Sequence, residues 1–189
     1  SPHTVTIVSI AFQMRLPWNL EEAIQDYDTA IEVNPNYAIA YSNRGNARKA
    51  SGDLAGAIQD YDKEIEINPN LVEAYSNRGA ARYDSGDLME ALQDWTKAIE
   101  INPNLVKAYS NRGVARAESG DLAGALQDFD KAIEINPNLA QAYWNRGIAY
   151  YNSGQREPGK ADLRKAVDLF CQQQDPTCES RRAQVANLR

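Results

Sequence analysis

Four asparagines, Asn43, Asn77, Asn111 and Asn145, recur at intervals of 34 residues. A primary amide donates and accepts hydrogen bonds, so a column of such side chains can satisfy the main-chain groups of an extended polypeptide without reading its sequence. Asn46, Lys49 and Lys107 could add further donors and positive charge, and Tyr83, Trp144 and Tyr151 could add large desolvated contacts. Catalytic chemistry has less to draw on. The carboxylates recur with the same period, which assigns them to helix caps and solvated faces rather than to one acid–base pair. Cys171 and Cys178 have no histidine but His3 as a base, and a metal site of His and Cys ligands has nothing to be built from. The glycines are isolated, and none is followed by Lys-Ser or Lys-Thr as a phosphate loop requires. No enzymatic activity and no cofactor are expected.

The elements that must position these side chains are helices. The stretch 74–103 reads Ala74-Tyr75-Ser76-Asn77-Arg78-Gly79, then Ser85-Gly86-Asp87-Leu88, then Ala91, Trp95, Ala98 and Asn102-Pro103. Shifted by 34 residues either way the same string returns, and its small and aromatic residues fall at helical spacing. The turn glycines Gly52, Gly86 and Gly120 are expected to end a first helix with φ > 0, and Asp53, Asp87 and Asp121 to cap a second one. Asp87 and Glu90 have capping-box spacing. Each Asn-Pro-Asn then stops the second helix, because proline disfavours helical backbone in the residue before it. Gly45, Gly79 and Gly113 fall mid-helix at a cost of about 1 kcal/mol each, which close helix packing would offset. A helical hairpin of this kind cannot cover its own apolar faces, so the hairpins must stack.

At the residues just quoted the chain resembles the tetratricopeptide repeat family. The resemblance implies an all-α fold, an α-α superhelix (solenoid) of stacked helix-turn-helix units with a C-terminal capping helix. It also implies that the asparagine column lines a concave groove for an extended peptide or protein tail. Asn as the family's usual residue there, fixing helix geometry, is the plainer reading, and both can hold. Asn46, Asn77 and Lys107 match three of five positions that relatives use to clamp a terminal carboxylate, but Ser42 and Asn111 stand where that clamp needs cations. Lys49 could substitute in part. Trp144, Ile148 and Tyr151 would form an aromatic end of the groove, unless Trp144 packs under the capping helix. Arg44, Arg78, Arg112 and Arg146 with Asp60, Asp94, Asp128 and Asp162 are expected to form an internal ion-pair ladder. Glu64 departs from the pattern, standing where Ala98, Ala132 and Ala166 pack.

The expected boundaries follow the register. Residues 1–18 are a degenerate first helix or an extended arm, and 19–37 the second helix of repeat 1. Full repeats occupy 38–71, 72–105 and 106–139; 140–173 is a repeat with a degenerate second half, and 174–189 a capping helix with Asp175 as cap and its arginines facing water. A formal net charge of -6 argues against a nucleic-acid surface, and no apolar run is long enough for direct membrane insertion. The expected partner is therefore a protein or peptide. A self-associating homo-oligomeric scaffold is the alternative, as is the repeat portion of a larger protein. Ser1-Pro2-His3 without an initiator methionine leaves a removed export signal open. The two cysteines are expected as thiols, which favours the cytoplasm, whereas a bridge across the 175–176 turn would make an exported compartment the alternative.

Overall fold

The computed structural model describes residues 19–188. Among them every regular element is helical. They run in the order α1 (Leu20–Val33), α2 (Ala38–Ser51), α3 (Leu54–Ile67), α4 (Val72–Asp84), α5 (Leu88–Ile101), α6 (Val106–Glu118), α7 (Leu122–Ile135), α8 (Ala140–Asn152), α9 (Arg156–Gln172) and α10 (Cys178–Ala186). The choice between helix and arm for residues 1–18, and with it His3, lies outside the described residues. The chain divides into two compact units, 1–69 and 70–189.

In the first unit α2 packs on α1 and on α3. Tyr61 of α3 is fully buried, and its hydroxyl donates to Asn46 Oδ1 at 2.8 Å. Glu64 lies one turn further along α3 and is buried too, 5% exposed, in the place that Ala98, Ala132 and Ala166 fill in the second unit.

In the second unit each of α4, α6 and α8 packs on the helix that follows it, and the hairpins stack in chain order. The first helices touch their counterparts, α4 on α6 and α6 on α8, whereas among the described residues α5 does not meet α7, nor α7 meet α9. First helices that crowd and second helices that splay curve this stack, with α4, α6 and α8 on the inner side. The close packing is built in by glycine: a Cβ on Gly113 would stand 2.6 Å from Phe129 Cε1, and one on Gly79 2.9 Å from Trp95 Nε1.

The turns form as their residues dictate, with φ of 89° at Gly52, 91° at Gly86 and 88° at Gly120. Asp53 and Asp121 accept from the backbone N–H of Gly56 and Gly124, each at 2.9 Å. The capping box expected at Asp87 does not form. Asp87 Oδ2 instead accepts from Ser85 Oγ, and Glu90 pairs with Arg82 at 3.2 Å, because a nearby guanidinium offers charge as well as a hydrogen bond. Helix α9 runs on to Gln172, past the place where Asn-Pro ends α3, α5 and α7, since Phe170 and Cys171 replace that dipeptide.

Two expectations at the C-terminal end need correction. The cysteines are paired rather than free: Cys171 and Cys178 form a disulfide joining α9 to α10, with their Cα atoms 5.1 Å apart. The last helix begins at Cys178, later than the Asp175-Pro176 start, because Asp175 Oδ1 folds onto the N–H and hydroxyl of Thr177 and makes a turn there. Those bonds also hold the Asp175 carboxyl below the usual carboxylate range.

Candidate functional site

The arginine–aspartate ladder is internal, and its carboxylates are buried. In the first unit Asp60 accepts from both Arg44 and Arg48, while Arg44 also reaches Asp28. In the second unit Arg78 and Arg82 converge on Asp94, and Arg112 and Arg116 on Asp128, at 2.6 to 2.9 Å. The second arginine of each trio, one helical turn after the first, was not anticipated, although its 34-residue recurrence at 48, 82 and 116 was a usable signal. Arg146 closes the series by bridging Asp162 and Asp130. Hydrogen bonding to Asp162 outweighs burial and drives the Arg146 guanidinium above its ordinary value. Each of Arg44, Arg78, Arg112 and Arg146 also sits 5.4 to 5.7 Å from a tyrosine ring centroid three residues back. These groups are saturated by one another and serve the fold.

The asparagine column of the second unit is different. Asn77 on α4 and Asn111 on α6 are half-buried, and among the described residues their side-chain amides make no hydrogen bond. Because α4 packs on α6, these two amides occupy equivalent positions on neighbouring helices. Asn145, the next in the series, already accepts from Gln141 Nε2 at 2.8 Å. Lys107 is exposed in the first turn of α6, one turn before Asn111 and on the same face.

Other expected groove residues are engaged within the fold. Tyr83 packs its ring against Trp95, with centroids 5.9 Å apart, and its hydroxyl donates to Glu118 Oε1 at 2.6 Å. That bond, followed by burial and the charges of Glu118 and Asp84, pushes the phenol up to about 12. Tyr151 lies beneath the Arg156 guanidinium at 5.7 Å. Trp144 takes the alternative named for it: it packs edge-on to Phe170, with Arg181 of the capping helix over its ring at 4.5 Å. Arg181 therefore does not simply face water as expected. In the first unit Asn43 is half-buried and, among the described residues, makes no side-chain hydrogen bond, while Asn46 supports Tyr61 and Lys49 sits in the last turn of α2.

Helical hairpins stacked in chain order define a helical-repeat interaction scaffold. A family model described as TPR repeat matches residues 19–52, 45–86, 79–120 and 115–154, and another, Tetratricopeptide repeat, matches 140–170. The chain belongs to the tetratricopeptide repeat family. Among solved structures it is similar to MamA protein, with a TM-score of 0.79 and 24% identity over 93% of this chain and 97% of that one. It is also similar to YrrB, described as a TPR protein with an unusual peptide-binding site, at a TM-score of 0.73 and 26% identity over 93% and 85%. The first TPR of Spaghetti (RPAP3), bound to an HSP90 peptide, matches at a TM-score of 0.61 and 26% identity over 62% of this chain and 93% of that one. No curated protein sequence matches. Among the described residues no helix is long and apolar enough to cross a membrane.

Proposed function

We propose that this protein is a non-catalytic adaptor that holds an extended segment of another protein on the inner face of α4, α6 and α8. The observation that carries this reading is the pair of half-buried amides, Asn77 and Asn111, that bond to nothing among the described residues. Half-buried amides that make no bond within the fold keep a donor and an acceptor each for the main-chain N–H and C=O groups of a bound segment. Lys107 adds one exposed cation beside them, suited to a carboxylate on the bound segment. The likeness to YrrB and to the peptide-bound Spaghetti repeat supports the same use of the fold. With Cys171 and Cys178 bridged, the compartment inferred for the resting chain is an oxidising one.

A random-peptide display selection against the protein supplies ligands without a candidate partner. Selected peptides are then titrated against wild type, Asn77→Ala/Asn111→Ala and the outer-face variant Lys131→Ala. With about 1 kcal/mol per lost hydrogen bond and two to three bonds removed, affinity should fall roughly 30- to 150-fold in the double variant and stay unchanged in Lys131→Ala. Equal affinity for all three proteins, at unchanged helicity, would overturn the proposal.

A further inference from the structure

Helix α10 carries nine residues, of which Cys178 alone is buried. Two features help hold it to the rest of the unit. The disulfide ties its first residue to the end of α9. The Arg181 guanidinium then lies 4.5 Å from the Trp144 ring centroid and 4.4 Å from that of Phe170, with the two rings 6.4 Å apart and inclined at 70°. This arginine differs from the four of the ladder. They are neutralised by aspartates, whereas Arg181 makes no ion pair among the described residues, and its Nε donates only to Thr177 Oγ1 of its own segment at 2.8 Å. Two aromatic faces set at an angle around one cation, which feels the Asp175 charge only through space, form a cation receptacle. It is built from α8 and α9 and filled by a side chain from a short element tethered beyond it.

We propose that the Trp144–Phe170 cleft is a binding site for an arginine of another polypeptide segment, that Arg181 fills it in cis as an autoinhibitory contact, and that reduction of the Cys171–Cys178 bridge lets Arg181 leave. The occupant is an arginine because an arginine already fits. The latch opens by thiol–disulfide exchange with a dithiol reductant. A thiolate of the reductant attacks one protein sulfur and expels the other as a thiolate, which takes up a proton. The second thiol of the reductant then resolves the mixed disulfide, so the protein gains two thiols and the reductant becomes a disulfide. The half-buried Cys171 Sγ is the sulfur attacked and Cys178 leaves first; Arg182 Nη2, 3.1 Å from Cys171 Sγ, then stabilises the Cys171 thiolate released when the mixed disulfide is resolved.

The probe is a fluorescein-labelled peptide of residues 177–188 with serine in place of Cys178, titrated by anisotropy. Reduction alone leaves Arg181 tethered at an effective concentration of about a millimolar, so the strongest probe binding belongs to the C171S/C178S/R181A variant. The expected order of affinity is oxidised wild type, then reduced wild type, then this variant, which binds at least about tenfold tighter than the first. Trp144→Leu in the variant, or glutamine in place of the peptide's arginine at position 181, should return binding to the oxidised level. The proposal is overturned if the variant binds no tighter than oxidised wild type, or if either control binds as well as its parent. Should the triple variant lose helical circular dichroism, Arg181→Gln in the reduced chain carries the same comparison.

Discussion

Replacing Asp128 with alanine tests whether the ladder is a surface decoration or part of the core. Its carboxylate accepts from Arg112 Nε and Nη2 at 3.0 and 2.7 Å and from Arg116 Nη1 at 2.9 Å. The Asp128 side chain is 3% exposed, against 12% for Arg112 and 27% for Arg116. The variant loses three charge-assisted bonds and leaves two guanidinium groups facing each other. Breaking a buried pair costs about 3 to 5 kcal/mol. Arg116 can turn its head toward water on its flexible stem, which favours the lower end, about 3 kcal/mol. For a chain of this size that corresponds to a fall in Tm of roughly 6 to 12 °C, read from circular dichroism at 222 nm. The control is Glu134→Ala on the same helix, which breaks the exposed Lys131–Glu134 pair and should cost under about 1 kcal/mol. If the two variants melt within a degree or two of each other, the buried-network reasoning fails.

Glu64→Ala should raise Tm by a few degrees, about 1 kcal/mol, because it swaps a buried carboxylate for the residue that packs at this position in the second unit; an unchanged or lower Tm refutes it. Tyr83→Phe should remove, from an ultraviolet alkaline titration, one phenol that ionises near 12 rather than near the ordinary 10. Because the folded value is raised, the stability this phenol contributes is complete below pH 10 and is lost as pH rises toward 12. Loss of a phenol titrating at the ordinary value would show that the Glu118 bond does not hold in solution.

The periodic features were legible because each is a local rule repeated. Gly52, Gly86 and Gly120 announce their turns, and Asn68, Asn102 and Asn136 before proline announce the helix ends. What escaped was decided by contacts between elements. Asp87 looked like a cap in isolation, but Ser85 and the Arg82–Glu90 pair claimed the groups involved. Tyr83 looked like an open groove residue, yet Trp95 and Glu118 engage both its ring and its hydroxyl. The spacing of Cys171 and Cys178 allowed a bridge without requiring one, so thiols were expected, and the fold of 173–177 brings the two together. The asparagine column was readable as a column, but only the structure separates the engaged Asn145 from the unengaged Asn77 and Asn111.

One substitution within the ladder bears on how the molecule yields to force. Arg146 is pinned to Asp130 on the preceding hairpin and to Asp162 on its own. Arg112 holds Asp128 in the same way, but on the preceding hairpin it meets the hydroxyl of Thr96 at 3.0 Å, a neutral acceptor where Asp130 supplies a charge. A stack of repeats gives way at its weakest nearest-neighbour coupling. At the ladder, the junction of α5 with α6 is therefore fastened by a neutral clasp and that of α7 with α8 by a charged one, while Tyr83 and Glu118 tie the first junction a second time. Near-identical hairpins are thus joined by different fastenings, so their junctions need not yield together.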